Sequence, residues 1–175
     1  MTTPHVSLPD LALPDVVGTS RLRLPVITPA HADDMRAGRR QPSWHPDFPR
    51  EDDLDGASAS FTGGWGSRLV VRAFDGLVCG TIGCFGPPTA HVDGVLETEV
   101  GYGLVAEARG HGLATEALRA LVAETDRLDV RLRASVLPDN AASVRVLAKC
   151  GFTSLRGSTD DGELVMVRPL RGGRG

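Results

Sequence analysis

The sequence predicts one α/β (α+β) domain whose elements run in the order βααβββαβαββ. Three observations carry that prediction. Short runs such as Arg21–Leu24 and Val130–Leu137 alternate apolar and polar residues with the two-residue period of strands. Leu113, Ala117, Leu118, Leu121 and Val122 instead fall on one stripe at helical spacing. Between a strand-like run and that helix stands Arg109-Gly110-His111-Gly112-Leu113-Ala114, a glycine-bearing turn. With 175 residues the chain is long enough to bury a real core as a single domain.

Each element has a local reason. Arg21 to Leu24 is the first strand, ended by Pro25 and Pro29. Thr28 is a good N-cap and Pro29 suits the first helical position, which predicts a helix from His31 to about Arg40. Pro42, Pro46 and Pro49 make Gln41 to Pro49 a loop. Its Trp44 and Phe48 either line an acceptor entrance or pin the loop to the core, and the sequence leaves both open. Arg50 to Ser60 forms a second helix with acidic residues at its start, where they match the dipole. Leu69–Phe74 and Leu77–Phe85 are strands joined by the turn signal Asp75-Gly76. Val95–Leu104 is the third consecutive antiparallel strand. After the long helix and the strand Val130–Leu137, Asn140 caps a helix to Lys149 that Gly151 stops. Phe152–Leu155 and Glu163–Val167 form a closing hairpin.

Strand, glycine turn and helix together put free backbone N–H groups and a positive dipole end around a phosphate. Gly110 and Gly112 permit close backbone approach and positive φ, and Arg109 adds a fork of donors. A phosphorylated cofactor is therefore expected here. A Walker loop is excluded, because it ends in Gly-Lys-Ser/Thr and the only lysine is Lys149. A dinucleotide fingerprint begins at Gly101 and Gly103 but has Ala106 in its third position.

Arg109, Gly112 and Ala114 occupy the three fixed positions of the Arg/Gln-x-x-Gly-x-Gly/Ala loop, and Asn140-Ala141-Ala142-Ser143-Val144 followed by Lys149-Cys150-Gly151-Phe152 forms a second block. In these two blocks, from about Ser20 to Leu170, the chain resembles the GNAT superfamily of N-acetyltransferases. Glu99-Val100-Gly101-Tyr102 with the loop resembles its ribosomal-protein alanine acetyltransferase branch. The resemblance implies the GNAT fold: a mixed, mostly antiparallel sheet of six to seven strands, about four helices, and two central strands splayed around acetyl-CoA. It implies that backbone groups near Leu104 and Val105 hold pantetheine, and that Arg109, Gly110, His111, Gly112, Leu113 and Ala114 hold pyrophosphate. An N–H near Leu104 would meet the developing oxyanion. His111 either touches phosphate or faces solvent.

Acetyl transfer to an amine also needs a base. Glu97, Glu99 and Gly101 share one strand face by alternation, with Tyr102 on the other. Glu99 is the expected base, a carboxylate in a partly desolvated cleft, and Glu97 is the second choice, expected to contact substrate and to favour a cationic acceptor. The alternative for Glu99 is to bind the ammonium without taking its proton. Many family members carry a leaving-group tyrosine seven residues after the Asn; here that position is Leu147. Ser143 and Asn140 are the expected substitutes, and both are expected to touch the cofactor, the alternative being a plain cap and a surface residue.

Composition sets the remaining expectations. A net charge of −3 gives no pull towards nucleic acid or an anionic membrane. No apolar run reaches the roughly 18 residues of a spanning helix, and Met1–Thr19 has no secretion-signal pattern. Cys79, Cys84 and Cys150 are odd in number and lack metal spacing, so they read as buried residues of a reduced, cytoplasmic protein; a bacterial origin is a separate expectation. No metal is expected. Residues 1–19 read as an N-terminal arm, 20–170 as the domain and 171–175 as a disordered tail. The acceptor is a small-molecule amine or a peptide N-terminus, an acyl-CoA-binding regulator without turnover is the third reading, and a homodimer is possible.

Overall fold

A computed structural model describes residues 11–57 and 62–171. Among the described residues nine strands, β1–β9, form one mixed sheet in the order β1-β2-β3-β4-β6-β7-β9-β8, with β5 beside the start of β6. They are β1 (Val16–Gly18), β2 (Leu22–Pro25), β3 (Ser67–Arg72), β4 (Val78–Cys84), β5 (Thr89–Ala90), β6 (Leu96–Leu104), β7 (Arg131–Val136), β8 (Ser154–Ser158) and β9 (Leu164–Arg168). Four α-helices accompany them: α1 (Pro29–Arg36), α2 (Glu51–Gly56), α3 (Leu113–Arg127) and α4 (Ala141–Lys149). Every neighbouring pair is antiparallel except β6 and β7, which run parallel.

The expected element order holds, and the sheet is wider than the six to seven strands expected. β1 lies in the proline-bearing segment read as an arm. It pairs with β2 from Val16↔Pro25 to Gly18↔Arg23, and Leu13 and Val17 are buried, so these residues are part of the sheet edge and core. Three residues are too few to show an alternation, which is why the pattern missed them. The arm's first ten residues, and tail residues 172–175, lie outside the described residues.

Helix α1 starts where Thr28 and Pro29 predict. Thr28 Oγ1 accepts the His31 N–H at 3.2 Å and His31 Nδ1 accepts the Thr28 N–H at 3.3 Å. The helix ends at Arg36, before the expected Arg40, because Gly38 turns the chain at φ 67°. Helix α3 buries its predicted stripe of Leu113, Ala117, Leu118, Leu121 and Val122.

Trp44 and Phe48 resolve towards the core. They are 4% and 0% exposed and meet edge to face at 5.3 Å. Trp44 also bridges to Val78. The substrate-binding role expected of Trp44 is corrected here: its ring presents no open face to an acceptor. Cys79, Cys84 and Cys150 are buried free thiols. Burial pushes the Cys79 thiol up to about 11 and Cys84 to about 12, so neither is a nucleophile near neutral pH.

Candidate acyl-transfer site between two parting strands

The central feature follows from ladder parity. Phe85 N–H donates to Glu99 O and Val105 N–H to Cys79 O. Residues 99, 101, 103 and 105 therefore turn their peptide groups to β4, and 100, 102 and 104 turn theirs to β7. The β6–β7 ladder, however, covers only Glu97↔Arg131, Thr98↔Leu132 and Glu99↔Arg133. Beyond it β6 stays with β4 while β7 stays with β9. The Val100 carbonyl, the Tyr102 peptide groups and the Leu104 N–H thus turn towards an open wedge.

That wedge is a cavity of about 180 Å³ lined by Val100–Tyr102, Ala134–Leu137, Asn140, Ser143, Leu147 and Glu163. Leu104 N–H turns away from β4, towards the β7 side, by the same parity. Val105 does not take the expected part, since its N–H is held by Cys79 O at 2.8 Å and the residue is buried.

At the end of β6, one 3₁₀ turn (Ala106–Ala108) leads into the loop 109–112. Gly110 and Gly112 sit at φ 79° and 76°, the left-handed region open to glycine. Gly112 is the N-cap of α3 without a side-chain cap, so the first N–H groups of the helix, Leu113 and Ala114 included, have no partner within it. Arg109 is exposed and its Nε donates to Leu104 O at 2.9 Å, tying the loop to the strand end. His111 is exposed; its carbonyl accepts Arg21 NH1 at 2.9 Å. Arg21 Nε also pairs with Glu116 Oε2 at 2.6 Å, so the residue just before β2 braces the loop and the first turn of α3. The sequence reading missed Arg21.

On the far side of the wedge, Asn140 Oδ1 accepts Ser143 N–H at 3.1 Å, so Asn140 is the cap of α4 and a lining residue at once. Tyr102 O–H donates to Ser143 O at 3.1 Å. Burial pushes that phenol up to about 12, which keeps it protonated. Three hydroxyls therefore line the wedge: Tyr102, Ser135 and Ser143. Leu147 lines it too.

On the opposite β6 face a second cavity, of about 390 Å³, is lined by Phe85–Pro87, Thr89–His91, Glu97–Glu99, Arg133 and Arg156. Phe85 is 58% exposed and its ring lies over Gly101, where a Cβ would come within 2.6 Å of it. Phe85 is the aromatic wall that the sequence reading assigned to Trp44. Its signal was there: an aromatic ending a strand, with a side-chain-free glycine on the neighbouring strand.

Glu99 reaches this cavity, its carboxylate 3.0 Å from Arg133 NH2. Glu97 does not act as expected. It is 7% exposed, accepting Arg131 Nε at 2.5 Å and Arg156 NH1 and NH2 at 2.6 and 2.8 Å. Burial alone would raise its pKa, but the hydrogen bonds from Arg156 and Arg131 win and hold it below the usual carboxylate range. A carboxylate so saturated cannot recruit an ammonium, and the expected negative face is neutralised. The signal in the sequence was complementary: Glu97-Thr98-Glu99 and Arg131-Leu132-Arg133 have the same two-residue charge spacing, but only the parallel register sets them side by side.

One further network holds α2 over the site. Asp53, fully buried, accepts Arg50 N–H, Nε and NH2 and Thr81 Oγ1. The Arg50 guanidinium lies over Gly103, where a Cβ would meet it at 2.1 Å. Among the described residues no group of three or more His, Cys, Asp or Glu could hold a metal ion, and no helix is long and apolar enough to cross a membrane.

Comparison with known proteins bears on the family and the fold. Residues 21–153 match the family model described as the acetyltransferase (GNAT) domain. No curated protein sequence matches the chain. Among solved structures, a protein from Bordetella pertussis described as a GnaT-family acetyltransferase is 25% identical with a TM-score of 0.66, over 89% of this chain and 100% of that one. A ribosomal-protein-S5-alanine acetyltransferase from Vibrio fischeri shares the fold at 17% identity and a TM-score of 0.61, over 89% and 96% of the two chains. RimJ from Mycobacterium smegmatis, in complex with CoA-disulfide, does so at 21% and 0.56, over 88% and 87%.

Proposed function

The chain belongs to the GNAT acetyltransferase family, and from that premise we propose that it moves an acetyl group from acetyl-CoA to the primary amine of a small molecule by direct attack in a ternary complex. The observation that carries this reading is the wedge between β6 and β7, with the Gly110–Ala114 loop following the end of β6 after one 3₁₀ turn. Bound there, acetyl-CoA would supply an activated acetyl thioester.

The residues present suit that group. The positive-φ glycines and the uncapped start of α3 offer N–H donors to pyrophosphate, with Arg109 beside them. The Val100 carbonyl, the Tyr102 peptide groups and the Leu104 N–H offer a strand edge to an extended amide arm. Leu104 N–H is the donor for charge developing on the carbonyl oxygen. Glu99 takes the proton from the acceptor nitrogen, directly or through water. Ser143 and Tyr102 are the hydroxyls set to protonate the departing thiolate. A thiol with a pKa near 8.5 leaves tolerably unaided, so this proton is the smaller contribution.

A small acceptor is favoured over a peptide N-terminus by the cavity of about 390 Å³, walled by Phe85 on one side and Arg156 on the other. Three buried free thiols fit a reducing cytoplasm. The test is isothermal titration with acetyl-CoA. The wild-type protein should bind in the micromolar range, and Gly112→Trp, at φ 76° in the loop, should abolish binding. Retained binding in that variant, with an unchanged fold by circular dichroism, would remove the loop from the site.

A further inference from the structure

We propose that the acceptor is a small amine carrying its own anionic group, a carboxylate or phosphate a few bonds from the nitrogen, which Arg133 and Arg156 hold while Glu99 faces the amine. This rests on the transferase reading above and names the substrate class of the same site.

The argument is the sign of the charge that a ligand meets. Two glutamates on one strand face would attract a cation, yet their side chains are only 7% and 19% exposed. The guanidinium side chains around them are the open ones: Arg133 at 41% and Arg156 at 31%. Glu97 is consumed by Arg131 and Arg156, and Arg131 has a second carboxylate in Asp93 at 2.6 Å. Arg133 is the least engaged of the three. Its carboxylate neighbours are Glu99 at 3.0 Å and Glu97 at 3.8 Å, against five N–H donors in its fork. A guanidinium with free donors on a cavity wall is a planar two-point receptor for carboxylate or phosphate.

Geometry then limits the ligand's length. Arg133 and Glu99 touch, so an amine at Glu99 and an anion at Arg133 belong to one short molecule. When Glu99 accepts a proton, Arg133 loses its counter-charge. A ligand anion beside it would compensate within the cavity, whereas a diamine would add a second cation to an already arginine-faced site.

The test uses the full chain, acetyl-CoA and acceptors of matched size: β-alanine and O-phosphoethanolamine as the anionic pair, ethanolamine as neutral, ethylenediamine as cationic. Free CoA thiol is followed for turnover, and titration of each acceptor into CoA-loaded protein gives binding. The anionic acceptors should exceed ethanolamine in kcat/KM by about tenfold, the scale of one charge-assisted hydrogen bond. β-Alanine against O-phosphoethanolamine separates carboxylate from phosphate. Arg133→Gln should remove the preference chiefly through KM, and Arg156→Gln, on the exposed edge strand, serves if that variant does not fold. Preference for ethylenediamine, or discrimination unchanged in both variants, would overturn the proposal. Turnover of peptides alone would overturn it while sparing the transferase reading. Bound acetyl-CoA with no thiol release from any amine would overturn that reading, and the proposal with it.

Discussion

Glu97→Gln separates a structural carboxylate from a substrate-binding one. Removing one partner of a buried ion pair costs about 3–5 kcal/mol. Two features lower that figure here. Arg131 keeps Asp93 at 2.6 Å, and Arg156, with a side chain 31% exposed, can regain water. Arg133 lies 3.8 Å away and 41% exposed, and adds little. The expected destabilisation at neutral pH is therefore about 2–3 kcal/mol, a fall in Tm of about 4–12 °C at this chain length. The sign of the pH dependence follows from a folded pKa held below its unfolded value. The stabilisation is fully present above about pH 4.3, the unfolded value, and is lost as pH falls through the folded pKa. Asp93, held well below the usual carboxylate range by Arg131, titrates in both proteins, so the difference between them reports Glu97. Urea unfolding followed by circular dichroism at pH 7 and pH 3.5 measures both points. A difference below about 0.5 kcal/mol at pH 7, the scale of an ordinary surface substitution, or one that does not shrink in acid, would refute the reasoning.

Four other outcomes are expected. Glu99→Gln should lower kcat/KM by about 10²–10⁴ while leaving acetyl-CoA affinity unchanged by titration, the range for a lost general base. Tyr102→Phe and Ser143→Ala, assayed for kcat, identify the hydroxyl that protonates the thiolate: the donor's removal lowers kcat by about tenfold or more, and equal, negligible effects would remove a proton donor from the wedge. Since the Tyr102 phenol titrates only near 12, it stays protonated and imposes no alkaline fall in kcat up to about pH 10. Thr28→Ala deletes the acceptor for the His31 N–H and should cost about 1 kcal/mol, or about 2–4 °C in Tm.

Local chemistry by itself determined the order of elements, the caps at Thr28 and Asn140, the buried stripe of α3 and the positive-φ glycines of the 109–114 loop. Each depends on residues within a turn or two of one another, so periodicity and capping suffice to read it. The two residue blocks carried the family in the same way. The tertiary structure alone decided the site's electrostatics and its aromatic wall. Glu97 and Glu99 look like two free anions along β6, and become half of a paired charge array only when β7 docks parallel and β8 brings Arg156 across the sheet. Trp44 reads equally well as an entrance or a core residue, and burial sends it to the core while Phe85 is left over Gly101. The wedge has the same origin. No residue between Val100 and Leu104 encodes it; it exists because β6 follows β4 while β7 follows β9, and hydrogen-bonding edges that part in space leave no trace in a one-dimensional pattern.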